Sequence, residues 1–466
     1  MSGPDSAGAG SVLRPGAWLV IAVATLGSFM AQLDATIVNV SLARLSHDLR
    51  ASLATIQWTM SGYLLALALV LPLNGWLVDR IGSRALYLWS FASFTLLSGL
   101  CGLAWSAPSL IVLRLLQGAS GGLLAPMAQL TVARIAGKQM PRVSAFMTVP
   151  ILLAPMLGPA IAGATLQYAS WRWLFLLNLP VGVAAFLLAA LVLPRDDGER
   201  RPRPLDGLGL LLLSPAMVLF LIGADHVSAS PGVICLLVSG PLFGAYVCHA
   251  RRKGGDALID LRLFRIRGFA VAAASMFTVN GLMFAGQMLV PIFLMRACGL
   301  SPVLTGWLML PLGLGMMATF LLLGRLTDRF GIGPTARTGA ILALVGTLPL
   351  VLLAETGLSV PLLAASLFVR GVGIGALGVP VMAAGYAAVP RERLSTASTA
   401  MNVGQRLGGP TCTTICVVAL GWLSPAGVNG AGQADAFAWT FGLLALIHGA
   451  SLLSTLLLPR ALPERT

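Results

Sequence analysis

The chain has 466 residues, 57% of them hydrophobic and only 10% charged, against roughly 25% charged in an ordinary soluble domain. That balance, with a mean hydropathy of +0.89, excludes a water-soluble globular protein, and uninterrupted apolar runs of about 20 residues exclude a transmembrane barrel. The net charge of +14 would suggest nucleic acid in a soluble chain, but the basic residues sit in loops between apolar runs, so an all-α, polytopic protein of the lipid bilayer is expected, with no nucleic-acid partner.

In chain order, a polar, glycine-rich start leads into apolar windows near 17–41, 55–78, 85–105, 108–135, 143–168, 173–193, 206–224 and 231–250. Six more follow near 269–296, 303–325, 336–355, 360–387, 394–422 and 436–458. The first window is too long for a cleaved signal and is expected to remain as span 1. Fourteen spans put both termini on one side. Counted against alternate loops, 23 of the 30 Lys and Arg fall on the side of the termini, four fall opposite (Arg44, Arg50, Arg172, Arg296) and three lie within spans. The positive-inside rule therefore places both termini in the cytoplasm, in a cytoplasmic membrane.

An internal repeat divides the chain. Gly75-Trp-Leu-Val-Asp79-Arg80-Ile-Gly82 after span 2 matches Gly324-Arg-Leu-Thr-Asp328-Arg329-Phe-Gly331 after span 10. Arg114, followed by Gly118 and Gly121 in span 4, has its counterpart in Arg370, followed by Gly371, Gly373 and Gly375 in span 12. Two six-helix bundles are expected, at 1–194 and 256–466, with residues 195–255 supplying charged segments and two linker spans. Such repeats are an architecture of secondary transporters.

Several strings imitate enzyme motifs. Gly118-Ala-Ser120-Gly-Gly122 fits G-x-S-x-G and Gly373-Ile-Gly375-Ala-Leu-Gly378 fits G-x-G-x-x-G, but both lie inside apolar helices without the preceding strand either motif needs. Gly137-Lys138 lacks the remainder of a phosphate loop, the four histidines share no metal-ligand spacing, and the six cysteines show no paired spacing. No enzyme, cofactor, metal or disulfide framework is expected, and an ion gradient is the expected energy source.

What remains is charge inside the membrane. Of sixteen acidic residues, Asp34 alone lies well inside a span; an ionised Asp there costs on the order of 2.5–3.5 kcal/mol on insertion scales. Two readings stand: a proton-coupling or cation-binding group facing a polar cavity, or a carboxylate snorkelling to the outer interface. On a helical projection Asp34 and Ser41 share one face, while Ser28, Gln32, Thr36 and Asn39 form another. The Asp34 face is assigned to the pathway and the other stripe to neighbouring helices. Arg114, with Gln117 on the same face, either assists Asp34 or braces neighbouring helices, as Arg370 would, and Arg406 with Gln405 is a third buried basic site. The run Pro155-Met-Leu-Gly158-Pro159-Ala-Ile-Ala162-Gly163 is expected to form a close, sliding interface between the halves. Asp79 and Arg80 are either a solvated turn or, with Asp328 and Arg329, a paired gate.

These residues resemble the major facilitator superfamily, and within it the fourteen-span drug/proton antiporters. Leu33-Asp34-Ala-Thr36-Ile-Val38-Asn39-Val is similar to that branch's span 1 signature, and Gln57-Trp58 with Tyr63 to its start of span 2. Gly75 to Arg84 resembles the superfamily's loop motif, and Leu110, Arg114, Gln117 and Gly118 the span 4 motif linked to proton coupling. Pro155 to Gly163 is similar to the antiporter motif, with Ala162 where glycine is usual, and Trp171-Arg172-Trp173-Leu-Phe175 with Asn178 and Pro180 resembles the start of span 6. Asp260-Leu-Arg262-Leu-Phe264-Arg265 resembles the entry to span 9.

The resemblance implies proton-coupled export of lipophilic small molecules by alternating access, in a monomer. Coupling would rest on Asp34 and Arg114. The substrate cavity would draw on Asp34, Gln57, Trp58, Tyr63, Gln117, Asn402, Gln405 and Arg406. Conformational change would use Gly75, Asp79, Arg80, Gly82, Arg84, Asp328, Arg329, Pro155, Gly158, Pro159 and Gly163. Spans 9 to 14 carry no acidic residue at depth, so neutral substrates, or substrates with at most one positive charge, are expected. The alternatives are an exporter of one dedicated metabolite, a membrane enzyme, or a non-transporting receptor or scaffold.

Overall fold

The structure, a computed structural model, describes residues 15–136, 139–194, 204–227, 229–423 and 431–458. Both chain ends, Gly137, Lys138 and the basic segment 195–203 lie outside these residues, as do the side chains of Asn39, Pro155, Pro159 and Arg391. Every regular element described is helical. In chain order they are α1 (Pro15–Asp48), α2 (Leu53–Val70), α3 (Asn74–Ile81), α4 (Ser83–Gly102), α5 (Ala107–Ile135), α6 (Met140–Tyr168), α7 (Trp173–Leu176) and α8 (Asn178–Val192). There follow α9 (Gly207–Asp225), α10 (Ser230–Lys253), α11 (Arg267–Arg296), α12 (Pro302–Phe330), α13 (Ile332–Val345), α14 (Leu348–Thr356), α15 (Val360–Ala387), α16 (Leu394–Leu423) and α17 (Ala431–Leu456).

Local chemistry sets the helix ends. The Ser52 hydroxyl accepts from the Thr55 amide to start α2, and Ser106 with Ser109 forms a reciprocal capping box that starts α5. Pro72, which lacks an amide hydrogen, interrupts span 2 with a short 3-10 turn at Leu71–Leu73, so α2 and α3 together make one span. The final glycines of the two repeated motifs, Gly82 and Gly331, adopt φ of 90° and 86°; a side chain is strained there, which explains why the motif ends on glycine in both copies.

Helices stand at all fourteen expected positions, and among the described residues twelve are long and apolar enough to cross a membrane. The repeat is visible in the packing as well as in the sequence. α2 lies on α5 as α12 lies on α15, α4 on α5 as α13 on α15, and α4 on α8 as α13 and α14 on α17. Glycine makes the first of these contacts close enough: a Cβ on Gly118 would stand 2.3 Å from the Tyr63 carbonyl oxygen, and one on Gly371 would stand 2.1 Å from that of Leu312.

The linker helices α9 and α10 pack on each other, and α9 also leans on α2 and α16. Asp206 ties their loop ends together. Its carboxylate caps α9 through the Gly209 amide (3.1 Å), accepts from Lys253 Nζ (2.9 Å) and the Leu258 amide (3.3 Å), and meets His249 Nε2 at 2.7 Å. Burial by itself raises the Asp206 pKa, yet these partners hold the carboxyl below its usual value. A small recess beside it is lined by Gly75, Asp79, Asp256 and Thr396, so the linker reaches the place where the two bundles meet.

Because backbone stands in the way at both helix crossings, Gly118→Val and Gly371→Val should each cost about 1–3 kcal/mol. Gly163, with nothing within 4 Å of its Cβ position, should accept alanine without loss. Thermal unfolding of the purified variants in detergent checks this; equal melting temperatures for all three would contradict the packing.

Candidate functional site

Asp34 lies on α1 where that helix packs against α5 and α8, and its side chain is 1% exposed. The capping box at Ser106 fixes the start of α5 and so places Arg114 two turns in, opposite Asp34. The guanidinium Nη1 donates to Asp34 Oδ2 in a salt bridge and to Gln117 Oε1 at 2.8 Å, while Nε donates to the Thr59 carbonyl at 3.0 Å. Gln117 Nε2 and Asn178 Nδ2 donate to Asp34 Oδ1 at 3.2 and 2.9 Å, and Asn178 reaches Ser98 Oγ at 3.0 Å. The guanidinium stands 4.2 Å from the Tyr63 ring centroid and 5.6 Å from that of Phe175. Removing one partner of a buried pair leaves the other charge uncompensated, at about 3–5 kcal/mol.

Four expected residues, Asp34, Arg114, Gln117 and Tyr63, are thus brought together. Asn178 and Ser98 complete the site. In the sequence Asn178 stands only as part of the span 6 resemblance, yet a lone amide in an apolar run is signal enough to mark it. The surroundings of Asp34 differ from the expectation of an open pathway: helix α5 encloses it within the first bundle. Of the opposite stripe, Thr36 packs against α6 at the Ala154 carbonyl (3.4 Å) and Gly158, as assigned, while Gln32 is exposed.

The second bundle repeats the cation without the acid. Arg370 is 1% exposed and donates from Nη2 to the Leu282 carbonyl at 2.8 Å. Where a carboxylate would stand there is Gly286, whose Cβ would fall 1.9 Å from the guanidinium. Bracing helices is the role this geometry supports for Arg370.

The bundles meet at the end that carries the repeated motifs. A Cβ on Gly75 would stand 2.9 Å from Thr399 Oγ1 of α16, and one on Gly324 would stand 2.7 Å from Arg142 Cγ of α6. Asp79 Oδ1 accepts from Ser395 Oγ at 2.8 Å, in the first turn of α16, where a helix N-terminus favours negative charge. Asn402 Nδ2 and Tyr386 Oη donate to Gln129 Oε1 at 3.2 and 3.4 Å, again across the bundles.

The other expected residues fall as follows. Arg80 stacks on Trp76 at 5.3 Å and Arg84 donates to the Ala190 carbonyl. Asp328 and Arg329 are exposed, so the second motif meets its neighbour through Gly324 while the first adds a carboxylate. Gly158 fits Thr36 within its own half and Gly163 faces open space. Small size at Gly158 admits α1 closely, while α6 also packs against α12 and α15 of the other half and Arg142 meets Gly324 there. Gln57 and Trp58 are exposed near the start of α2, and Gln405 and Arg406 are half-buried on α16.

If the pair is mutually compensating, Arg114→Gln alone should destabilise by about 3–5 kcal/mol, and less in an Asp34→Asn background because both charges are then gone. A double-mutant thermal-stability cycle checks this. Strict additivity would contradict a direct pair.

Comparison with known proteins agrees with this architecture. The Major Facilitator Superfamily profile matches residues 24–413. The chain is 36% identical over 409 residues to "Multidrug resistance protein B homolog" of Mycobacterium tuberculosis (strain ATCC 25618 / H37Rv), covering 85% of this chain and 75% of that protein. It is 34% identical over 320 residues to "Putative multidrug resistance protein MdtD" of Salmonella heidelberg (strain SL476), covering 67% of each. Among solved structures, the proton:xylose symporter XylE superposes with a TM-score of 0.61 at 14% identity, covering 92% of this chain and 94% of that one. The human organic anion transporter MFSD10 (TETRAN) gives 0.61 at 17% identity over 93% and 100%; at these identities the likeness is one of fold. With the profile spanning most of the chain, two repeated bundles and relatives above 30% identity, the chain belongs to the major facilitator superfamily, a family of membrane transporters.

Proposed function

We propose that the chain is a proton-coupled exporter of lipophilic small molecules across the cytoplasmic membrane. The observation that carries this reading is the Asp34–Arg114 pair: one titratable carboxylate, enclosed at mid-bundle and held by a cation on a neighbouring helix. Two relatives are named for multidrug resistance, in agreement with it. With fourteen spans and the basic loops facing the cytoplasm, the contacts of Asp79 with Ser395 and of Gly75 with Thr399 close the cytoplasmic side, and the arrangement is outward-facing. Within a monomer, the bundles of 1–194 and 256–466 move against one another, with 195–255 riding between them.

In this scheme protonation of Asp34 removes the charge that Arg114 compensates. Arg114 retains Gln117 and the Thr59 carbonyl, and α1 is freed from α5. Asp79 at the N-terminus of α16 stabilises the closed cytoplasmic side, so rupture of that contact accompanies opening. A dedicated exporter of one metabolite would share every one of these parts, and a substrate panel separates the two.

Asp34→Asn should abolish pH-gradient-driven efflux from everted vesicles; the amide keeps the volume but leaves Arg114 without its counter-charge, so efflux is compared per molecule of variant that inserts and folds, as shown by its size-exclusion profile. Wild-type, protonophore-sensitive efflux in a well-expressed Asp34→Asn variant would refute the coupling role.

A further inference from the structure

Arg406 has no counter-charge among the described residues. It lies on α16 (Leu394–Leu423), twelve residues from the helix start, or roughly 18 Å along the axis, too deep for its guanidinium to reach water by snorkelling past the closed end. Ser395, Thr399, Asn402 and Arg406 follow one another at helical spacing on a single face. The first three touch the opposite bundle at Asp79, Gly75 and Gln129. Beyond that closure Arg406 faces the same bundle, half-buried and within electrostatic reach of Tyr63. It makes no hydrogen bond or ion pair among the described residues, and Tyr63 already donates its hydroxyl to the Ala31 carbonyl at 3.2 Å.

The carboxylate that sequence alone would offer to a cationic substrate is occupied. Asp34 is enclosed by Arg114, Gln117 and Asn178, and Asp225, Glu355 and Asp435 stand at helix ends. Among the described residues, the space between the bundles therefore carries positive charge with no acidic partner. A guanidinium in low dielectric gains most from a planar or multidentate anion.

We infer that Arg406 anchors the acidic group of an amphipathic organic anion, such as a carboxylate or sulfonate on an apolar body. This deepens the exporter reading, on which it rests, and reverses the preference for neutral or cationic substrates expected from sequence.

Three matched probes test it on the full-length protein in lipid nanodiscs: naphthalene-2-sulfonate, naphthalene-2-sulfonamide and 2-naphthyltrimethylammonium. The sulfonate should bind at least tenfold more tightly than the ammonium. Arg406→Gln should lose about tenfold for the sulfonate and little for the sulfonamide, while Arg406→Lys keeps the wild-type order. An ammonium bound as tightly as the sulfonate, an Arg406→Gln variant with undiminished sulfonate affinity, or binding of none of the three would each overturn it. The wild-type order requires no variant, so misfolding of Arg406→Gln does not shield the proposal. Proton movement in proteoliposomes separates the two readings. Proton-coupled export of the ammonium but not the sulfonate would defeat the anion preference and leave the exporter standing, whereas sulfonate binding that follows the predicted order without proton movement would do the reverse.

Discussion

A carboxylate and a guanidinium taken out of water each lose several kcal/mol of hydration, and only close geometry with every remaining lone pair occupied restores the balance. The salt bridge, with Gln117, Asn178 and the Thr59 carbonyl, occupies both Asp34 oxygens and all of the Arg114 guanidinium but Nη2, which has no hydrogen-bond acceptor among the described residues; the guanidinium lies over the Tyr63 and Phe175 rings. Each partner comes from a different place: α1, α5, α8 and the backbone of α2. The pair is thus held by the packing of the whole first bundle. Conversely, any change in its charge acts on four helices at once, which is the property a coupling site needs.

Duplication supplies the scaffold, and departures from it supply direction. Both bundles keep a buried arginine at the same place, both cross their helices at a glycine, and both end the loop motif on a glycine of positive φ. The first bundle adds an acid beside its arginine, where the second has Gly286. The first motif likewise sets Asp79 against the N-terminus of α16, whereas Asp328 of the second is exposed. A perfectly symmetric pair of bundles would have two equivalent acid–arginine pairs; this chain places one in the first bundle and leaves Arg406 on the second without an ion pair among the described residues.

Much of this architecture is legible in the amino-acid sequence. Helix positions followed from apolar run length, because backbone groups in lipid leave few alternatives to a helix. Asp34 followed from scarcity, and the repeat from two copied strings. The contents of the site were harder to read. A helical projection ranks faces by polarity and cannot say which neighbour lies opposite, so Asp34 was assigned to an open pathway when α5 encloses it. For the same reason the pattern of Pro155 to Gly163 does not say that Gly158 accommodates Thr36 of its own half while α6 also packs on α12 and α15 of the other. Asn178 is named in the sequence only as part of the span 6 resemblance, because its role lies in a contact 144 residues away in sequence.

The coupling role of Asp34 is open to direct spectroscopic observation. Infrared difference spectra of the purified protein, recorded as substrate is added at acidic pH, report a difference band at the carbonyl stretch of a carboxylic acid that releases its proton as substrate binds. That band should appear in the wild type and be missing from Asp34→Asn. Identical spectra from the two proteins would mean that Asp34 keeps its charge throughout the cycle, and that the proton is carried elsewhere.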